Sequence, residues 1–176
     1  MKKQVRILLF RGGALGDFIF TLPALAALRQ RWPDAYIELV GYPHIANLAL
    51  AGGLVDHVES LDRAETARFF AWTPAFSAEQ ADHIASFDLV INYLHDPDGS
   101  VRRNLQAAGA RQVIVGSPIV TGGHAVAHLA RPLESLALYV AEESPRLSLT
   151  PSLLRRGSEA LRERGLPEGA VVLHPG

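Results

Sequence analysis

The sequence predicts an α/β protein built on a doubly wound, Rossmann-like parallel sheet. Short apolar runs of strand length recur along the chain, and the segments between them have the apolar spacing of helices. The first run, Val5–Phe10, leads into a glycine-rich turn, Arg11–Asp17, and then into a Leu- and Ala-rich helix that ends at Arg31. Strand, glycine loop and helix form the first unit of such a sheet, in which ligands bind at the carboxyl ends of the strands.

The remaining elements follow from the same patterns. Gly41 closes the second apolar run, Gly52 and Gly53 end a short helix, and residues 77–80 (Ser-Ala-Glu-Gln) are close to a capping box. Pro132 is expected to kink or split a long helix. The predicted strands are 5–10, 36–40, 55–58, 87–92, 112–115 and 170–173, and the helices after the first are 43–51, 63–70, 77–86, 100–108, 125–140 and 151–164.

Composition limits the classes of protein to which the chain can belong. Its 176 residues suit one ordinary domain, and 48% hydrophobic with 20% charged residues is enough to bury a core. A net charge of −1 argues against a nucleic-acid protein that binds through a bulk positive field. The absence of cysteine excludes disulfides, thiolate metal sites and cysteine nucleophiles. Since no apolar run approaches the roughly 20 residues of a membrane helix, we expect a cytoplasmic protein.

The glycine turn does not match the known phosphate-binding patterns. Gly12, Gly13 and Gly16 do not fit G-x-G-x-x-G, because Ala14 occupies the second glycine position, and no G-K-[ST] is present. The second strand also lacks the acidic residue that holds a ribose in dinucleotide-binding folds. Its only carboxylate, Glu38, lies mid-strand and is expected to face solvent or a neighbour. A nicotinamide-dependent oxidoreductase is therefore disfavoured.

Asp17 is the leading candidate for a functional carboxylate, because it follows the first strand in a loop aimed at the crevice. The structural alternative is that Asp17 caps the next helix, since Asp is a favoured N-cap. The loop after the fourth strand, residues 93–99, should face the same crevice. Its Asp96-Pro97-Asp98 superficially resembles a metal-binding D-x-D, but a turn with an Asp cap explains it more simply.

His124 and His128 could share a helix face, but residue 125 is Ala rather than the Glu of the zinc-protease motif H-E-x-x-H. Two surface histidines explain this spacing better than a metal pair does. No metal site and no cofactor are predicted.

Three segments carry a resemblance to a known family. R-G-G-A-L-G-D followed by T-L-P-A-L-A-A-L-R resembles the opening of the ADP-heptose:lipopolysaccharide heptosyltransferases, glycosyltransferase family 9. H-A-V at 124–126 resembles a motif ahead of the family's mid-chain helix, and V-V-L-H-P-G at 171–176 resembles the motif that opens its second domain. The resemblance implies the N-terminal half of a GT-B glycosyltransferase. Residues 1–150 would be a Rossmann-like acceptor-binding domain, and 151–176 a linker helix and the first strand of a truncated donor-binding domain.

The resemblance also implies a reaction and its residues. A heptose would pass from ADP-heptose, with inversion, to a lipopolysaccharide inner-core or lipid A–Kdo acceptor, and Asp17 would be the general base. Acceptor binding would fall to Arg11, Gly12, Gly13, Gly16 and His124, and donor binding to His174, Pro175 and Gly176. The isolated chain is expected to be inactive, and peripheral contact with the cytoplasmic face of the inner membrane is compatible with such an acceptor. The alternative is a non-catalytic nucleotide- or sugar-binding α/β module.

Overall fold

Five parallel strands form the centre of the molecule. The structure, a computed structural model, describes residues 3–140, 144–167, 169–171 and 173. The strands lie side by side in the order β3-β2-β1-β4-β5, and every neighbouring pair is parallel. This order confirms the doubly wound sheet. The strands are β1 (Arg6–Arg11), β2 (Tyr36–Gly41), β3 (His57–Ser60), β4 (Leu89–Asn92) and β5 (Val113–Val115).

Helices cover both faces of this sheet, which is why its central strands read as continuous apolar runs. Alternate side chains of β1 enter two separate cores: Ile7 and Leu9 pack on one face, Leu8 and Phe10 on the other. The helices are α1 (Leu15–Ile19), α2 (Leu22–Arg31), α3 (Pro43–Ala51), α4 (Ala64–Ala67), α5 (Ala78–Ala85), α6 (Ser100–Ala107), α7 (Ala125–Ala130) and α8 (Pro151–Glu163).

The two helical layers are formed by different parts of the chain. Helices α2, α3 and α7 pack on the face of Ile7 and Leu9. Helices α5 and α6 pack on the opposite face, with a 3-10 turn at Arg68–Phe70 that follows α4. The first change of face accompanies the crossing of the chain from β3, on one side of β1, to β4, on the other, and α7, after β5, returns to the first face.

Two local sequence signals behave as predicted. The amide of Gln80 donates to Ser77 Oγ at 3.2 Å and the amide of Ser77 donates to Gln80 Oε1 at 3.1 Å, which completes the capping box of α5. Pro132 splits the helix predicted over 125–140. Helix α7 ends at Ala130, and a 3-10 turn, Arg131–Leu136, continues the chain.

The end of the chain differs from its prediction. The strand predicted over 170–173 is wrong for the residues that the structure describes there, because Ala170, Val171 and Leu173 are in no strand. Val171 is 85% exposed. Helix α8, just before it, buries none of its side chains. Within the described ranges, no helix has both the length and the apolar character needed to cross a membrane.

Candidate functional site

The strand order places a crevice at the carboxyl ends of β1 and β4. From β1 the chain builds outward to β2 and β3 on one side, and then returns to build β4 and β5 on the other. Open α/β sheets bind ligands where the strand order reverses in this way, because the loops there diverge to opposite faces. The turn after β1 and the loop after β4 therefore flank the candidate site.

Arg11 anchors the turn after β1. It is the last residue of that strand and only 3% exposed. Its Nε donates to Thr21 Oγ1 at 2.9 Å, and its Nη2 donates to the backbone carbonyl of Asp17 at 2.8 Å. The Thr21 hydroxyl donates to the same carbonyl at 3.2 Å. Burial lowers the pKa of Arg11 from its ordinary value, and the negative charge of Asp17 opposes that shift.

Asp17 itself lies on the exposed surface of this turn. The alternative that it is the N-cap is wrong, because α1 begins at Leu15 and Ala14 occupies the N-cap position. Asp17 instead lies in the first turn of α1, where a negative charge is favourable toward the free amides of a helix. Its carbonyl is held by Arg11 and Thr21 while its carboxylate faces outward. The arrangement therefore fixes the backbone and leaves the acid accessible.

The three glycines of the turn meet different surroundings. A Cβ on Gly12 would lie 3.2 Å from Leu61 and 3.6 Å from Leu94, so the loops after β3 and β4 converge there. Gly13 has a φ of +95°, which side-chain-bearing residues rarely adopt, and its missing Cβ would lie 3.5 Å from Asp17 Oδ2. Gly16 has open space beside it. The opening therefore lies next to Asp17, and the role of these glycines in acceptor binding stays a prediction.

The loop after β4 contributes less to the crevice than predicted. Tyr93 points into the core, where its hydroxyl donates to the carbonyl of Leu129 at 2.6 Å and burial raises its pKa. The carboxylate of Asp96 accepts from the amides of Val101 at 3.0 Å and Arg102 at 2.9 Å.

Asp98, the other acid of D-x-D, accepts from the amide of Ser100 at 3.2 Å. Both carboxylates therefore bind amides of the first turn of α6, whose N-cap position is occupied by Gly99 rather than by the predicted Asp. No group of three or more potential metal ligands occurs in the described part of the chain.

Of the predicted site residues beyond the β1 turn, the structure describes only His124. His124 is exposed at the N-cap position of α7, and none of the hydrogen bonds among the described residues joins its side chain to the β1 turn. His128, one turn on, lies with Nε2 3.1 Å from the carbonyl of Ser117. The predicted donor residues His174, Pro175 and Gly176 lie outside the described residues.

A second polar cluster, which the sequence reasoning missed, lines a cavity of about 410 Å³ between the sheet, α4 and α5. Glu38 is 3% exposed on β2, and its Oε1 lies 2.9 Å from Nε2 of His83 on α5. The hydroxyl of Tyr36 donates to its other oxygen at 3.2 Å. Glu38 thus faces a neighbour, the second of its two predicted environments. The sequence signal for this cluster was a carboxylate inside an apolar strand. Its partner could not be identified from the sequence, because His83 lies 45 residues further along the chain.

The contact between Glu38 and His83 shifts the pKa of both side chains. Burial alone would raise the pKa of Glu38, but the hydrogen bonds from His83 and Tyr36 outweigh it, so that pKa lies below its ordinary value. The hydrogen bond to Glu38 raises the pKa of His83. Asp17 lines neither this cavity nor one of about 350 Å³ between α2 and the segment that follows α7.

Comparison with known proteins adds a structural likeness without a sequence match. No family model matches the sequence, and no curated protein matches it. Among solved structures, the glycosyl transferase family 9 protein from Veillonella parvula DSM 2008 superposes with a TM-score of 0.66 at 21% identity, over 97% of this chain and 53% of that one.

Two E. coli enzymes are also similar in structure. ADP-heptose lps heptosyltransferase II has a TM-score of 0.62 at 13% identity, over 93% of this chain and 52% of its own. The heptosyltransferase WaaC, solved with ADP-2-deoxy-2-fluoro heptose, has a TM-score of 0.53 at 19% identity, over 80% of this chain and 51% of its own. The chain thus spans about half the length of these structures. It has the α/β fold that they contain, the fold predicted from its strand and helix pattern.

Proposed function

We propose that this chain belongs to a glycosyltransferase that moves a heptose from ADP-heptose to a lipopolysaccharide inner-core acceptor with inversion. The observation that carries the proposal is the exposed carboxylate of Asp17, held at the carboxyl end of β1 beside the open space at Gly16. The heptosyltransferase-like motif around it and the fold shared with family 9 structures support the same reaction class.

In this proposal Asp17 is the general base. Its carboxylate accepts the proton of an acceptor hydroxyl as that oxygen bonds to the anomeric carbon of the heptose. The bond from that carbon to the phosphate oxygen breaks, and ADP leaves with the electron pair. General-base catalysis contributes about 10²–10⁴-fold in rate. The bond from Arg11 to the backbone of Asp17 keeps the acid in position without occupying the carboxylate.

The assignment of binding roles follows the same proposal. Arg11, Gly12, Gly13, Gly16 and His124 would form the acceptor side, within an acceptor-binding domain of residues 1–150. Residues 151–176 would belong to the donor-binding side, with His174, Pro175 and Gly176 near the nucleotide sugar. The heptose analogue named for the similar WaaC structure supports a nucleotide sugar as donor. A lipid-linked acceptor would bring the protein to the cytoplasmic face of the inner membrane.

A transfer assay tests the proposal. Purified protein that carries this chain is incubated with ADP-heptose and a Kdo–lipid A acceptor, and the product is identified by its added mass. We expect transfer that depends on both substrates. Tight binding of a nucleotide or sugar with no transfer would instead favour the non-catalytic module, and reduction of NAD would contradict both.

A further inference from the structure

The cavity between the sheet, α4 and α5 has the size and lining of a site for a small organic molecule. Its volume is about 410 Å³, and such sites span about 300–1,000 Å³. A volume at the low end of that range suits a molecule of one or two rings. Because Asp17 does not line this cavity, it is separate from the candidate transfer site. The apolar part of its lining consists of Leu8, Phe10, Val40, Phe69 and Ile84.

One carboxylate lies buried against this apolar lining. The side chain of Glu38 is 5% exposed. A carboxylate has about four acceptor sites, and among the described residues Glu38 accepts two hydrogen bonds, from Nε2 of His83 and from the hydroxyl of Tyr36. About half of the acceptor capacity of a buried anion is therefore left for a ligand that donates hydrogen bonds.

The charges that line the cavity are mostly negative. Four carboxylates line it together with two guanidinium groups, a balance of −2 when His83 is neutral and −1 when it is protonated. Arg6 lies outside the lining, 4.5 Å from the ring centre of Tyr36, and including it leaves the balance at −1 with His83 neutral. The carboxylates are those of Glu38, Glu59, Glu65 and Glu79, and the guanidinium groups are those of Arg63 and Arg68.

Both guanidinium groups already bind acceptors within the protein. Arg63 donates to Glu59 at 2.8 Å and to Glu65 at 3.4 Å, and Arg68 donates to Oε1 of Gln80. The carboxylates do not form a group of three potential metal ligands within the described ranges. The lining therefore complements an organic cation better than an anion or a metal ion.

We propose that this cavity binds a small organic cation, with an aromatic body against the apolar lining and a protonated amine on Glu38. An ammonium group is the matching donor, because hydrogen bonds to ionised partners are about twice as strong as those between neutral groups. The rings of Phe10 and Phe69, with centres 5.5 Å apart, favour an aromatic body. The proposal does not depend on heptose transfer.

Three probes that share an indole ring test the charge of the ligand: tryptamine, the alcohol tryptophol and indole-3-propionate. Each is titrated by calorimetry at pH 8 into purified protein that carries this chain. At this pH an alkylammonium is still charged, since the pKa of the lysine ammonium is about 10.4. We expect tryptamine to bind at least about tenfold more tightly than tryptophol, and the carboxylate to bind most weakly. Equal affinities for tryptamine and tryptophol would overturn the proposal, and so would binding by none of the three.

Amide resonances of the labelled protein locate the bound tryptamine. We expect shifts at Thr66, Phe69 and Ile84, which line the cavity, and none at Gly16, beside Asp17. Shifts concentrated at Gly16 would place the amine at the candidate transfer site and would overturn the proposal.

Charge variants test the assigned carboxylate. Glu38→Gln should weaken tryptamine binding by at least about tenfold and leave tryptophol binding unchanged. Should this buried substitution prevent folding, the exposed double variant Glu65→Gln/Glu79→Gln provides the test, with an expected loss of about threefold. Glu134→Gln, exposed and outside the lining, is the control and should bind as the unaltered protein does. Unchanged tryptamine affinity in a folded Glu38→Gln, or in the double variant, would overturn the proposal.

Discussion

Arg11 donates to the backbone carbonyl of Asp17, with Nη2 and the oxygen 2.8 Å apart. A buried arginine thus fixes the position of an acid without neutralising it through a direct ion pair. The same guanidinium bonds to Thr21, which ties the end of β1 to the junction of α1 and α2. The geometry of the candidate site depends on these two hydrogen bonds from the planar Arg11 guanidinium, which together form a fork.

Arg11→Lys should therefore lower stability although it keeps the charge. An ammonium group cannot make both bonds of the planar fork, and a buried carbonyl or hydroxyl left without its partner costs about 1–3 kcal/mol. Urea unfolding measures the free energy, with the exposed Arg102→Lys as a matched control that should change it little. Equal stability of the two variants would show that the fork is not needed to hold the turn.

Alanine substitutions at Gly116 and at Gly16 should separate the effect of core packing on stability from the effect of access to Asp17 on sugar transfer. In Gly116→Ala the new Cβ would lie 2.6 Å from Tyr93 Cδ1 and 2.8 Å from Pro132 Cγ, so the core must shift at a cost of about 1–3 kcal/mol.

In Gly16→Ala the Cβ meets open space, and alanine suits a helix better than glycine does, so the free energy of unfolding should stay the same or rise by up to about 1 kcal/mol. We expect Gly16→Ala nevertheless to slow sugar transfer, because its methyl group occupies the space beside Asp17. Unfolding curves and the transfer assay check the pair, and full transfer by Gly16→Ala would place the acceptor elsewhere.

The Glu38–His83 pair should make stability depend on pH. The pKa of His83 is raised, so its contribution is complete below its unfolded pKa of about 6.5 and is lost as the pH rises through the folded value. The pKa of Glu38 is lowered, so its contribution is present above its unfolded pKa of about 4.3 and is lost as the pH falls through the folded value.

The free-energy difference between the wild type and His83→Gln should accordingly be largest between about pH 5 and 6.5. Since His83 is half-exposed, the difference should not exceed about 1 kcal/mol. Urea unfolding at a series of pH values measures it, with the exposed His95→Gln as control. A difference that grows above pH 7 would contradict the assigned pairing.

The sheet could be predicted because the sequence signals for its strands lie within the strands and in the turns between them. Runs such as that of β1 are apolar on both faces, and the glycines and prolines between them mark the ends of elements. The capping box at Ser77 and the split at Pro132 are likewise local and were predicted.

Features that depend on distant contacts could not be predicted. The break between α1 and α2 at Phe20 and Thr21 coincides with the bond from Arg11 to the Thr21 hydroxyl, which no helix spacing reveals. The partnership of Glu38 with His83 requires the packing of α5 on β2. Residues 170–173 have a strand-like pattern, but a strand also needs a neighbour to pair with, and no ladder includes Ala170 or Val171.

The candidate site was also predicted only in part from the sequence. The position of Asp17 after the first strand follows from the chain order, so its place at the carboxyl edge could be predicted. Its supposed cap role failed because the helix starts three residues earlier than that role requires, at Leu15.

Heptose transfer by Asp17→Asn, compared with the unaltered protein and with Asp34→Asn, tests the central claim most directly. Asp34 is an exposed acid in the turn before β2, at the opposite edge of the sheet. We predict that Asp17→Asn loses transfer by about 10²–10⁴-fold while its free energy of unfolding falls by no more than about 1 kcal/mol, and that Asp34→Asn stays active. Transfer by Asp17→Asn at the rate of the unaltered protein would show that this carboxylate is not the base.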